Sequence, residues 1–238
     1  MKILEDKHGW EVRSVAHYGD DLEDMAYNPN QLDSLLRSIE WAKFHDQEPV
    51  AILLSGGGND IAGPEFKALL DHAKSAEPGI NDAILDEIVS SRLKNSYVYL
   101  IASVNRVSQL HFGRDLPILL HGYDYPVPDG RGFAGGWGIL PGPWLKPTFF
   151  AKGFYEQAEN IVTMSAIIDR FDGMLADLVQ LPGFADFLHF VDLRGTLPTS
   201  ASLYQDWWAN EMHPTPAGFR AIAQKFAATL EELVVPNP

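Results

Sequence analysis

The sequence predicts an α/β domain in which a parallel β-sheet carries helices on both faces. Three observations lead there. Short apolar runs of strand length alternate along the chain with longer amphipathic segments, and parallel neighbours need crossover connections of that kind. One run, in AILLSGGGNDIAG (51–63), stops abruptly at three glycines and delivers Asn59 and Asp60 into the turn. Open α/β sheets bind their ligands at such strand ends. The 238 residues, 46% of them hydrophobic and 11% aromatic, suffice for one sizeable core and argue against disorder, so residues 1–238 are expected to form a single domain.

The elements follow in chain order. Residues 1–9 read as the end of a helix running into a strand, EVRSVAH (11–17). Asn30 to Phe44 places Leu32, Leu35, Leu36 and Ile39 on one helical face. VAILLS (50–55) is the next strand, Asp82 to Phe112 a long helix, and PILLHGY (117–123) a third strand. Phe154 to Leu181 is again helical, FLHFVDL (187–193) is the fourth strand, and Thr215 to Val234 is a closing helix. Only Gly122 to Pro147 lacks a period, because Gly, Pro and aromatic residues crowd it. A long irregular loop in a compact domain is usually functional, and this one is expected to border the active site.

Charge and composition exclude several function classes. The net charge of -14, from 32 acidic against 18 basic residues with no Lys/Arg cluster, repels nucleic acid and anionic membrane surfaces. With no cysteine there is no disulfide, thiolate metal site or cysteine nucleophile. No apolar run reaches the roughly 18 residues of a membrane span, and MKILEDKHGW lacks a signal core. The expectation is a cytoplasmic protein as the sequence is written, needing no cofactor or metal.

The residues that follow each strand form the candidate site. They are Gly19 and Asp20, Gly57 to Asp60, His121 to Tyr125, and Asp192. A fifth contributor lies off the sheet in DWWANEMHPTPAGFRAIA (206–223), where His213 precedes Pro214 just before the last helix. A histidine in a rigid turn can act as general base near neutral pH, and an asparagine amide with glycine-turn N–H groups can stabilise an oxyanion. A nucleophile is missing from this set.

Gly57-Gly58-Asn59-Asp60, Gly19 and His213-Pro214 together resemble the motifs of the SGNH (GDSL-type) esterases and lipases, in order and spacing over the whole chain. The resemblance implies a three-layer α/β/α sandwich with a flavodoxin-like parallel sheet, and acyl-ester hydrolysis as the activity. It implies that the Gly19 N–H and the Asn59 amide form an oxyanion hole and that His213 is the general base. Two departures stand out. The family's first block, a strand ending in Gly-Asp-Ser, has no counterpart, so four of the usual strands are expected and the nucleophilic serine is absent. Gly19-Asp20-Asp21 occupies the second block's place and is not a substitute. The family's acid, three residues before the histidine, is here Asn210. Either Asn210 orients the ring within a Ser-His dyad, or Asp192 or Asp206 supplies a carboxylate.

The missing strand would lie inside the sheet and leave backbone unpaired. That gap is expected to be covered by a second copy of the chain or by residues upstream of Met1 lost with a truncated gene start. Other residues have structural readings: Asp60 bonding turn amides, His121 as a satisfied core histidine, Asp192 as a turn cap, and Trp207 and Trp208 as packing around His213. Tyr123, Tyr125, Phe133, Trp137 and Trp144 either anchor the long loop or line an acyl or sugar pocket. Two rival functions stay open. One is a binding protein that keeps the pocket without turnover; the other is a two-metal phosphoesterase using Asp20, Asn59, Asp60, His121 and His213.

Overall fold

The computed structural model describes residues 2–17, 19–133 and 141–234. Helix α1 (Lys2–His8) leads into an irregular stretch, then α2 (Leu22–Tyr27) and α3 (Pro29–Phe44). Strand β1 (Ile52–Leu54) gives way to α4 (Gly58–Ala62), a 3-10 turn at Pro64–Leu69, and the small hairpin of β2 (Leu70–Asp71) and β3 (Gly79–Ile80). Helix α5 (Asp82–Asp86) joins α6 (Lys94–Phe112) through a π-helical turn, Glu87–Leu93, so the long helix expected from 82 to 112 is interrupted. Next come β4 (Ile118–His121), α7 (Leu145–Ala151), α8 (Gln157–Leu178), β5 (Leu188–Val191), α9 (Tyr204–Trp207) and α10 (Pro216–Val234). The end of the predicted loop is therefore helical, beginning at Leu145.

The main sheet has three parallel strands in the order β1-β4-β5. Alternation along each strand sends side chains into two separate apolar clusters. Ile52, Leu54, Ile118, Leu120 and Leu188 join one with Leu22, Ile39, Leu100, Phe171 and Leu175 from α2, α3, α6 and α8. Leu119 and Val191 join another, with Leu4 from α1 and Phe226, Ala227 and Leu230 from α10. This is an α/β arrangement. Among the described residues no helix is long and apolar enough to cross a membrane.

One predicted strand does not form. Residues 11–17 carry no ladder and are mostly exposed, whereas four strands were expected and the main sheet has three. An isolated extended segment has nothing to take its N–H and C=O groups, so β-propensity alone does not hold it in a sheet. Side chains fix the segment instead. The Arg13 guanidinium lies 3.7 Å above the centre of the Trp41 ring, and Trp10 and Val12 pack against the cluster that holds Leu4, Leu119 and Phe226. Strand β1 is left at an edge of the sheet.

Candidate active site

The turn after β1 is set by close approach. Gly57 has φ +87, and a Cβ there would come within 2.6 Å of the Phe171 ring. A Cβ on Gly58 would lie 2.7 Å from the Tyr123 ring. Glycine alone allows that backbone to run so near both rings. Two phenols, Tyr97 buried and Tyr123 half-buried, then pin it. The Tyr97 and Tyr123 hydroxyls each donate to the Gly56 carbonyl at 3.0 Å, and the Tyr123 hydroxyl accepts the Gly58 N–H at 3.1 Å. Burial raises the Tyr97 phenol well above its ordinary value and pushes Tyr123 up to about 12, so both remain donors.

From this turn Asn59 and Asp60 reach the stretch before α2. The Asn59 Nδ2 donates to the Asp20 carbonyl at 2.9 Å, and the buried Asp60 Oδ2 accepts the Leu22 N–H at 2.9 Å. Leu22 opens α2, so Asp60 also satisfies a first-turn amide of that helix. Burial pushes the Asp60 carboxyl up to about 6. The Asn59 bond thus ends on the residue that follows Gly19. The Asn59 amide keeps a second N–H, and Gly19 is exposed. A cleft of about 230 Å³ opens alongside, lined by Asp21, Glu23, Asp24, Asn59, Asp60, Glu65 and Arg92. Arg92 bridges Glu23 and Glu65 across it.

His213 sits in a tight turn. The Ala209 N–H donates to the His213 carbonyl at 2.8 Å, and Trp208 bridges Pro214. The Thr215 hydroxyl accepts the Gly218 N–H at 3.2 Å, capping α10, in which Pro216 is the first residue. The ring's partner is Asn210, whose Oδ1 lies 2.9 Å from Nδ1 and also accepts the Met212 and His213 N–H groups at 3.0 and 2.9 Å. An oxygen receiving two backbone N–H groups must be the amide's oxygen. Nδ1 therefore carries the proton, and Nε2 is left as the acceptor. Phe133 and Trp144 flank the imidazole with ring centroids 4.8 and 5.4 Å away, and burial holds His213 below its ordinary value of 6.5.

The remaining candidates are engaged elsewhere. Asp192 is paired with Arg194, which holds its carboxyl below the usual range. Asp206 accepts the Thr215 hydroxyl through its backbone carbonyl. Neither carboxylate is bonded to His213. Tyr125 donates to Asp169 at 2.8 Å, and Tyr123 belongs to the glycine turn. Trp144 lies against the histidine, whereas Trp137 falls outside the described residues. The His121 Nδ1 lies 2.6 Å from the Gly122 carbonyl, with Tyr123 and Phe226 edge-on to its ring. Among the described residues, no three His, Asp or Glu side chains form a group able to hold a metal ion.

The site thus has two parts: Gly19 with Asn59, and His213 with Asn210. Helix α7 packs Trp144, at its start, on His213 and Phe149 on Phe66, in the 3-10 turn that follows α4, with ring centroids 5.4 and 5.3 Å apart. The chain matches no family model and no curated protein. Two residues that sequence reasoning passed over prove central. Glu211 is wholly buried beside His213, and Asp172 is wholly buried behind Tyr123. For Glu211 the available signal was a carboxylate set among WWAN and MHP.

Proposed function

We propose that this chain carries the oxyanion-binding and general-base parts of a serine-type acyl-ester hydrolase, on a three-layer, flavodoxin-like α/β/α fold similar to that of the SGNH esterases and lipases. The observation that supports it best is the Asn210–His213 bond. A neutral imidazole with a fixed Nδ1 proton and a free Nε2 is the form that removes a proton from a hydroxyl. The Gly19 N–H and the Asn59 amide stabilise the oxyanion formed when the ester carbonyl is attacked, and water then releases the acyl group. The substrate is a small acyl ester, and the aromatic wall of Phe133 and Trp144 favours an apolar or ring-bearing group beside the base.

The reaction also needs a serine beside Nε2. Among the described residues no serine hydroxyl hydrogen-bonds the His213 ring. In this reading a strand bearing Gly-Asp-Ser pairs along the open edge of β1 and supplies it. The test is hydrolysis of aryl acyl esters, with labelling by a serine-directed fluorophosphonate, on the chain as given and on its reading frame extended upstream of Met1. Turnover and labelling by the extended chain, both lost in His213→Ala, support the reading. An extended chain that binds acyl esters but neither turns them over nor takes the label overturns it.

That second outcome corresponds to the rival reading of a non-catalytic ester-binding protein. The two-metal phosphoesterase reading has no support among the described residues, because Asp60 bonds the Leu22 N–H, His121 the Gly122 carbonyl and His213 the Asn210 amide oxygen, each apart from the others.

A further inference from the structure

The Glu211 carboxylate is completely buried and accepts four backbone N–H groups. Gly130 and Lys146 donate to Oε1 at 2.9 Å each; Trp144 and Leu145 donate to Oε2 at 2.7 and 2.8 Å. Three of these donors are consecutive. Trp144 is the cap of α7, and Leu145 and Lys146 are its first two residues. The next residue, Pro147, has no N–H, so one carboxylate satisfies every free amide at that helix start. Its negative charge also faces the positive end of the helix. The fourth donor, Gly130, belongs to the opposite side of the same loop, where the Phe133 N–H closes on the Pro141 carbonyl at 3.0 Å. The Glu211 N–H in turn donates to the Arg131 carbonyl at 3.2 Å.

Glu211 is two residues from His213, and the segments it gathers carry the two rings that flank that histidine. From this we infer that Glu211 is a positioning residue, a buried anion that locks residues 130–133 and 141–146 onto the His213 turn and so holds Phe133 and Trp144 against the imidazole. The use of that imidazole as a base rests on the function proposed above; the clamp itself does not. Glu211 touches no reacting atom in this role. Other charged groups nearby are occupied: Arg131 pairs with Asp129 and also reaches the Ala209 carbonyl, and the Lys146 Nζ donates to the Asp129 carbonyl at 3.1 Å. None of them bonds the Glu211 carboxylate, which leaves the backbone amides as its only partners among the described residues.

The decisive variant is Glu211→Gln, which keeps size but turns one acceptor oxygen into a donor facing two N–H groups. The readout is the titration of the His213 ring followed by NMR, with His189, also held low by burial but on β5, as internal reference. The expected result is a His213 midpoint that moves up toward 6.5, because the flanking rings loosen and admit water and this outweighs the downward pull of losing the Glu211 charge, while the His189 midpoint stays in place. In a preparation that hydrolyses esters, kcat should fall by about 10²-fold with a smaller change in KM, the signature of a displaced group. Movement of the His213 midpoint without any ester turnover in the parent protein supports the clamp and counts only against the hydrolase reading. An unmoved His213 midpoint in folded Glu211→Gln overturns the clamp. Should that variant fail to fold, amide exchange in the unaltered protein decides. The Gly130, Trp144, Leu145 and Lys146 amides are expected to be as slow as those of β4, and exchange as fast as in exposed loops overturns the inference.

Discussion

Asn210 Oδ1 and His213 Nδ1 lie 2.9 Å apart, with the same oxygen bound by two backbone N–H groups of the turn that carries the histidine. An amide thus stands where a carboxylate is the usual partner of a basic histidine. It fixes the tautomer as well as a carboxylate does, but contributes no charge to stabilise the imidazolium.

Asn210→Asp should therefore raise the His213 midpoint, because a negative charge at hydrogen-bond distance favours the protonated ring. In the unaltered protein the midpoint lies below 6.5, since burial disfavours the charge. Titration of the imidazole by NMR checks both, and in an active preparation the acidic limb of the pH–rate profile should move with it. Asn210→Ala removes the acceptor from two backbone N–H groups and the ring, and should cost about 1–3 kcal/mol of stability.

The oxyanion assignment predicts a different pattern at Asn59. Replacing it by alanine removes a donor whose known partner is the Asp20 carbonyl, so stability should fall by only about 1 kcal/mol. Ester turnover in an active preparation should fall by roughly 10²- to 10³-fold, with KM little altered. A thermal melt beside steady-state kinetics separates the two effects; equal, small changes in both would remove Asn59 from the oxyanion site.

At Gly57, alanine meets two obstacles: a left-handed φ of +87 and the Phe171 ring 2.6 Å from the new Cβ. Strain and displacement of a fully buried ring should together cost on the order of 2–4 kcal/mol, read as a lowered denaturation midpoint. Gly19→Ala has the same sign of φ but open space around it, and its cost should be about 1 kcal/mol.

How far the sequence foretold this arrangement depends on what each residue's role rests on. Strands 52–54, 118–121 and 188–191 fall inside the predicted runs because buried parallel strands are written as continuous apolar stretches. The glycine turn and the His213 turn were legible because Gly-Gly-Gly-Asn-Asp and His-Pro are local signals. Residues 11–17 read as a strand because propensity is local, whereas a strand exists only with a neighbour. The partners of Glu211 and Asp172 were illegible for the converse reason. Arg194 is only two residues from Asp192, but the amides that hold Glu211 are 65 to 81 positions away, a separation over which no sequence period carries information.

Asp172 gives the last prediction. Its side chain is fully buried, one oxygen accepts the Tyr123 N–H at 3.2 Å, and the other has no hydrogen-bond partner among the described residues, with Arg194 Nε 3.5 Å away. Burial, aided by the charges of Asp192 and Asp169, pushes the carboxyl from 3.8 up to about 7. Between those two values the folded protein keeps a proton that the unfolded chain releases, so this residue's contribution to stability falls as pH rises from about 4 to about 7 and is level above. Asp60, pushed up to about 6, acts with the same sign over the lower part of that range. Half-buried histidines such as His121 and His213, held low, act with the opposite sign, so the test must compare a variant with the parent. Asp172→Asn retains an acceptor for the Tyr123 N–H and has no proton to lose. Relative to the parent it should gain stability steadily between pH 4 and 7, by an amount on the order of 3 kcal/mol at the upper end. Denaturant unfolding at several pH values measures that difference, and a difference independent of pH would mean that the Asp172 carboxyl is already ionised in the folded protein at pH 4.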